Sequence, residues 1–205
     1  MPDGRVNRQA RGEERRRDVL DATLSVIGRD GLRAVSHRTV AAEAGTSLSA
    51  TTYYFESGRD MIVQAFAQYV DERIAAVQSV LSGPVEAGSL TPDEGAELLT
   101  RFILDELASG GLRISAEYQL ALEGVREPEI AEQFARLTRS AEEQLAALLA
   151  LVGSVDPPRD ARLLLAIVRG LEIAEVTSPD PTADAEIAAL CRRTVDALLA
   201  HPAGH

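Results

Sequence analysis

The 205-residue sequence predicts an all-α fold of about nine helices. Three observations predict it. Apolar residues recur at the i, i+3, i+4 spacing of a helix face along nearly the whole chain. The periodic segments are separated by Gly, Pro, Ser/Thr and Asp in the positions that start and stop helices. Ala and Leu dominate a chain that is 45% hydrophobic but only 4% aromatic, and no segment alternates as a half-buried strand would.

Taken in order, the first helix runs from about Glu13 to Arg29, with Val19, Leu20, Ala22, Thr23, Val26 and Ile27 on one face. Gly31 supplies its stop, and Leu32 turns back to the core. Ser36 is the expected N-cap of a short second helix, His37 to Ala44, whose apolar side is Val40, Ala41 and Ala44. Gly45 ends it, Thr46 and Ser47 make a turn, and a third helix covers about Leu48 to Phe55. Ser57 with Asp60 caps a long fourth helix whose stripe is Ile62, Phe66, Tyr69, Val70, Ile74, Val77 and Leu81, broken at Gly83-Pro84. Thr91-Pro92-Asp93-Glu94 opens the fifth helix, which stops at Gly110-Gly111. The sixth covers about Leu112 to Val125, and Pro128 opens the seventh. Residues 153–160, with Pro157-Pro158, are expected as a loop before the last two helices, 161–176 and 183–200.

Ser36 to Phe55 reads as a helix-turn-helix whose second member is polar on its outer side, the arrangement that places a helix in the DNA major groove. Ser47, Ser49, Thr51 and Thr52 offer hydroxyls to base edges, and Leu48 an apolar contact for a thymine methyl. Arg38, beside the capping Ser36, is placed to reach a guanine or a phosphate. The charge distribution agrees. Net charge is -11, yet residues 1–60 hold ten Arg against nine acids, while the remainder holds eleven against 23. Six of those arginines lie within the first seventeen residues and are expected as an arm for a minor groove or for phosphates.

Residues 12–62, GEERRRDVLDATLSVIGRDGLRAVSHRTVAAEAGTSLSATTYYFESGRDMI, resemble the N-terminal domain of TetR-family transcriptional repressors. The resemblance rests on the amphipathic first helix, Asp30-Gly31-Leu32, Val40-Ala41, Ala44-Gly45, Ser47, Tyr53-Tyr54-Phe55 and the Ser-capped fourth helix. It implies a DNA-binding domain over 1–56 and a ligand-binding and dimerising domain over 57–205. It also implies a homodimer on a palindromic double-stranded operator, released by a small-molecule ligand. Tyr53 and Tyr54 resemble the family's phosphate-contacting aromatics, and Phe55 is expected in this chain's own core. The chain departs from the usual pattern at Thr46, Ser49, Thr51 and Thr52, and Gly58 stands where a Lys is frequent, which shifts one phosphate contact to Arg59.

The resemblance also implies a ligand pocket among the fourth to seventh helices. Candidates are Phe66, Tyr69, Phe102, Leu107, Tyr118, Leu122 and Phe134, with Glu117, Gln119 and Glu123 as polar contacts. The helix over 161–176 is apolar around most of its circumference and so is expected to be buried on two sides. Leu164, Ile167, Val168 and Leu171, with Leu190, Thr194 and Leu198 of the last helix, are the expected subunit interface. No catalytic, cofactor or metal constellation is expected. His37, His201, His205 and Cys191 make no cluster, and no phosphate-binding Gly-rich loop or Ser nucleophile elbow is present. With no membrane-length apolar run and no signal-peptide pattern, the expected location is cytoplasmic. The competing readings are an activator or partner-controlled regulator on the same fold, and a helical enzyme or ligand carrier.

Overall fold

The computed structural model describes residues 3–81, 90–108, 111–180 and 182–200. The expected break at Gly83-Pro84, Gly110, His201 and His205 lie outside the described residues, as do the side chains of Val77, Leu81, Arg5 and Arg8. Among the described residues the regular structure is entirely helical: α1 (Asp3–Asp30), a 3-10 turn (Leu32–Ala34), α2 (His37–Glu43), α3 (Leu48–Tyr54), α4 (Gly58–Leu81), α5 (Pro92–Ala108), α6 (Gly111–Glu123), α7 (Pro128–Leu151), α8 (Pro157–Thr177) and α9 (Ala183–Ala200).

The helix ends follow capping chemistry. Ser36 Oγ accepts from the Thr39 N–H while Thr39 Oγ1 accepts from the Ser36 N–H, which closes a capping box on α2. Ser47 Oγ accepts from the Ala50 N–H at the start of α3. Thr91 and Glu94 form a reciprocal box on α5. At α4, Ser57 Oγ accepts from Asp60 N–H, but the Asp60 carboxylate reaches one residue further back, to the Glu56 N–H. Gly31 (φ 87°) and Gly45 (φ 60°) make the turns after α1 and α2 in a region that L side chains rarely adopt.

Two boundaries differ from expectation. The arginine-rich start is the first part of α1, not an extended arm, since Arg, Gln and Ala are good helix formers and their run is continuous with the amphipathic segment. Pro157-Pro158 open α8 rather than ending a loop. Proline is tolerated at the first helical positions, where its missing N–H is not needed, and Asp156 caps the Arg159 N–H.

The chain forms two compact units. The first holds Met1–Val70 and Ser115–Phe134; the second holds Asp71–Ile114 and Ala135–His205. In the first unit Val19, Leu20, Leu24 and Ile27 of α1 are buried along with Val40, Phe55, Met61 and Phe66. Ser115 Oγ donates to the Gly28 carbonyl at 3.1 Å and Gln119 Nε2 to the Ile27 carbonyl at 3.0 Å, so α6 satisfies carbonyls at the end of α1. In the second unit α5 packs on α9, with Leu99 and Ile103 against Ile187, Cys191 and Val195, and with Leu149, Leu164 and Val168 completing the core. Burying each such aliphatic side chain stabilises by about 1.5–3 kcal/mol.

Candidate functional site

Ser36 caps α2 and Ser47 caps α3, which fixes where each helix starts and so which of its side chains face outward. On α3, period 3.6 sends positions 51 and 55 inward and 48, 49, 52 and 53 outward. Phe55 is accordingly 2% exposed and Tyr53 is 82% exposed. Ser47, Leu48, Ser49 and Thr52 lie on the open side with it. Arg38 and Ser36 of the α2 start are exposed as well, and Arg38 has no ion-pair partner among the described residues.

Thr51 does not belong to this surface. It is fully buried, and its hydroxyl donates to the Leu48 carbonyl at 2.9 Å, so it cannot read bases as expected. Ser47 is committed in part to its capping bond and lies 2.9 Å from Ser49 Oγ. The two tyrosines divide their roles. Their rings meet edge to face at 5.0 Å, with Tyr53 outside, while Tyr54 is half-buried and faces α1 at Gly12. Of the early arginines, Arg16 serves the fold: its guanidinium lies 5.7 Å from the Phe55 ring centroid and bonds Gln64. Arg11, Arg15 and Arg17 are exposed. Arg59 is engaged within the first unit, donating to Glu127 at 2.6 Å, with Glu129 at 3.7 Å. Sequence reasoning missed this pairing; partners 68 residues apart leave no periodic signal.

The structure brings together only some of the expected ligand contacts. Phe66, Tyr69 and Glu117 are all buried in the first unit, and the Tyr69 hydroxyl donates to the Glu117 carboxylate at 2.5 Å. Tyr118 and Phe134 are half-buried there; Gln119 is held by its bond to α1, and Glu123 stands 3.9 Å from Arg126. Leu122 is 72% exposed near the end of α6 and does not line an interior. Phe102 and Leu107 belong to the second unit, where Phe102 lies beneath the Arg73 guanidinium at 5.4 Å.

On α8, Leu164 and Val168 are core residues of the chain itself, on the face that meets α5 and α9. The outward stripe is Leu163, Ala166, Ile167, Gly170 and Ile173, so of the expected α8 interface residues Ile167 alone is exposed; Leu171 is half-buried. Leu190, Thr194 and Leu198 of α9 are also half-buried. Among the described residues no group of His, Cys, Asp and Glu is arranged to hold a metal, and no helix is long and apolar enough to cross a membrane. Burial pushes the Cys191 thiol above its ordinary value, partly offset by a hydrogen bond with Thr100.

Residues 90–200 match the family described as the tetracyclin repressor-like C-terminal domain. The chain is 24% identical over 191 residues to the HTH-type nicotine-responsive transcriptional repressor HdnoR of Paenarthrobacter nicotinovorans, covering 91% of this chain and 94% of that protein. It is 31% identical to the multidrug binding protein EbrR, solved in complex with proflavin, over 88% of this chain and 99% of that one, with a TM-score of 0.56. A TetR-family regulator from Mesorhizobium loti, 16% identical, superposes with a TM-score of 0.74 over 93% of this chain and 97% of its own.

Proposed function

This chain belongs to the TetR family of transcriptional regulators, and we propose that it is a homodimeric repressor released from a palindromic operator by a small organic ligand. The observation that carries the reading is the outer face of α3. A large aromatic, Tyr53, stands 82% exposed beside Leu48, Ser49 and Thr52 on a helix whose other face is locked into a core. An exposed tyrosine among short hydroxyl side chains suits a phosphate contact next to base edges.

The division of labour we propose puts DNA reading in residues 1–56 and ligand binding and dimerisation in 57–205. Tyr53, Arg38 and the early arginines take phosphates; Leu48, Ser49 and Thr52 take bases. Dimerisation uses the outward stripe of α8 together with the half-buried residues of α9. A ligand releases DNA only if it binds one of two conformations more tightly. Nicotine responsiveness in HdnoR and proflavin binding by EbrR support a small nitrogen-containing aromatic as the ligand class. Cytoplasmic location follows from this role.

Selection of bound duplexes from a random-sequence pool tests the reading. A recovered palindrome, with half-sites one helical turn or a multiple apart, is the expected result. Retention of DNA without sequence preference contradicts it.

A further inference from the structure

The chain buries two carboxylates, Glu117 and Glu172, at 3% and 2% exposure, and treats them differently. Glu172 has a cation at hand: the Arg73 guanidinium lies 3.7 Å away. Glu117 pairs with no Arg or His among the described residues. Its carboxylate accepts one hydrogen bond, from the Tyr69 hydroxyl at 2.5 Å. Taking an ionised carboxylate out of water is costly, and a single neutral donor offsets only part of that cost. A buried acid in this state gains most from an incoming positive charge.

The surroundings select the same charge. Phe66 and Tyr69 stack with their rings 6.2 Å apart and 15° from parallel, both buried in the same unit as Glu117. The faces of such rings attract cations and flat π-systems and repel anions. Residues 115–134, the segment of this unit that carries Glu117, hold five acids against one arginine, so the charge around it also favours cations. A neutral ligand would leave Glu117 as it is, and an anionic one would add repulsion.

We propose that Glu117, with Tyr69 and Phe66, is the charge-recognising part of the ligand site, and that the ligand is a planar organic cation. The cation takes the place of the Tyr69 hydroxyl as the partner of Glu117, and its ring lies against the two aromatic side chains. This inference rests on the ligand-responsive reading above and narrows its ligand to one charge class.

Calorimetric titration of the full chain tests it, without DNA because the dyes themselves intercalate. The probes are acridine, which is neutral at pH 8, and the cations N-methylacridinium and proflavin, all three built on one ring system. Wild type is expected to bind both cations at least about tenfold more tightly than acridine. Glu117→Gln keeps the side-chain shape and an acceptor for Tyr69. It is expected to weaken both cations roughly 10- to 100-fold and to leave acridine unchanged, with a melting curve confirming the fold. Equal wild-type affinity for acridine and N-methylacridinium overturns the inference whether or not the variant folds. So does full cation affinity in a folded Glu117→Gln, or no binding of any dye. Release of a labelled operator duplex by neutral and anionic compounds is measured in parallel. If those release DNA while the cations do not bind, only the charge assignment fails; if no compound of any charge releases it, the ligand-responsive reading fails as well.

Discussion

The Arg59 guanidinium donates to a Glu127 carboxylate oxygen at 2.6 Å and stands 3.7 Å from Glu129. Arg59 opens α4, directly after α3, while both acids flank the start of α7. The phosphate contact expected of Arg59 would therefore set DNA against the two carboxylates for one cation, whose side chain is 60% exposed.

Removing that competition is expected to strengthen operator binding. An exposed pair of this kind is worth at most about 1 kcal/mol, so Glu127→Gln should tighten binding by no more than about fivefold. The slope of log affinity against log salt should steepen by about one phosphate contact. Anisotropy titrations at several stated salt concentrations read both. Unchanged affinity and slope would mean that Arg59 does not meet DNA.

Thr51 and Ser49 differ by two positions and are expected to differ in kind. Thr51 spends its hydroxyl on the Leu48 carbonyl inside the core, so Thr51→Val should leave the preferred DNA sequence intact. Ser49→Ala and Leu48→Ala remove groups from the exposed face and should relax preference at individual base pairs, by about 1–3 kcal/mol each where a contact is lost. Selected-site sequencing with each variant checks the contrast.

For dimerisation the decisive comparison is between neighbouring residues of α8. Ile167 lies on the outward apolar stripe, so Ile167→Glu should give folded monomers in sedimentation velocity. Gly170 lies on the same stripe with open space where a Cβ would stand, so Gly170→Leu should weaken the proposed dimer without unfolding the chain. Leu164→Ala instead opens a cavity in the chain's own core and should cost about 2–5 kcal/mol of stability with the same oligomeric state. Intact dimers of Ile167→Glu would place the interface elsewhere.

The capping box on α5 gives a pH signature. The Thr91 N–H and hydroxyl hold the Glu94 carboxyl below the usual carboxylate range. A folded-state value below the unfolded one means that its contribution is full above the unfolded value. It is lost as pH falls through the folded value. Glu94→Ala removes the acceptor that both Thr91 donors share, so it should melt below wild type at neutral pH, with a gap that narrows in acid. A gap independent of pH would remove the Glu94 charge from the effect.

Local chemistry made much of this fold legible in advance. Ser36, Ser47 and Thr91 mark helix starts because a short hydroxyl before an apolar run has few other uses, and the alternation of faces on α3 follows from period alone. Long-range pairing was not legible. On α8 nearly every face is apolar, so periodicity does not distinguish Leu164, which is buried within the chain, from Leu163, which points outward. The same applies to Arg59, whose partners lie in a distant segment, and to Glu117, whose burial depends on how α6 is docked rather than on its neighbours in sequence. Pro157-Pro158 misled for a local reason: two prolines suit a loop and a helix start equally, and Asp156 decides between them.

The central claim is that the outer face of α3 holds DNA. It is tested most directly by titrating one selected palindromic duplex with wild type and with Tyr53→Ala at a fixed salt concentration, with the oligomeric state of each protein measured alongside. Tyr53 is too exposed to matter for folding, so the variant should assemble as wild type does and bind at least about tenfold more weakly. Equal affinity in two equally assembled proteins would contradict the claim and assign the DNA contact to another face.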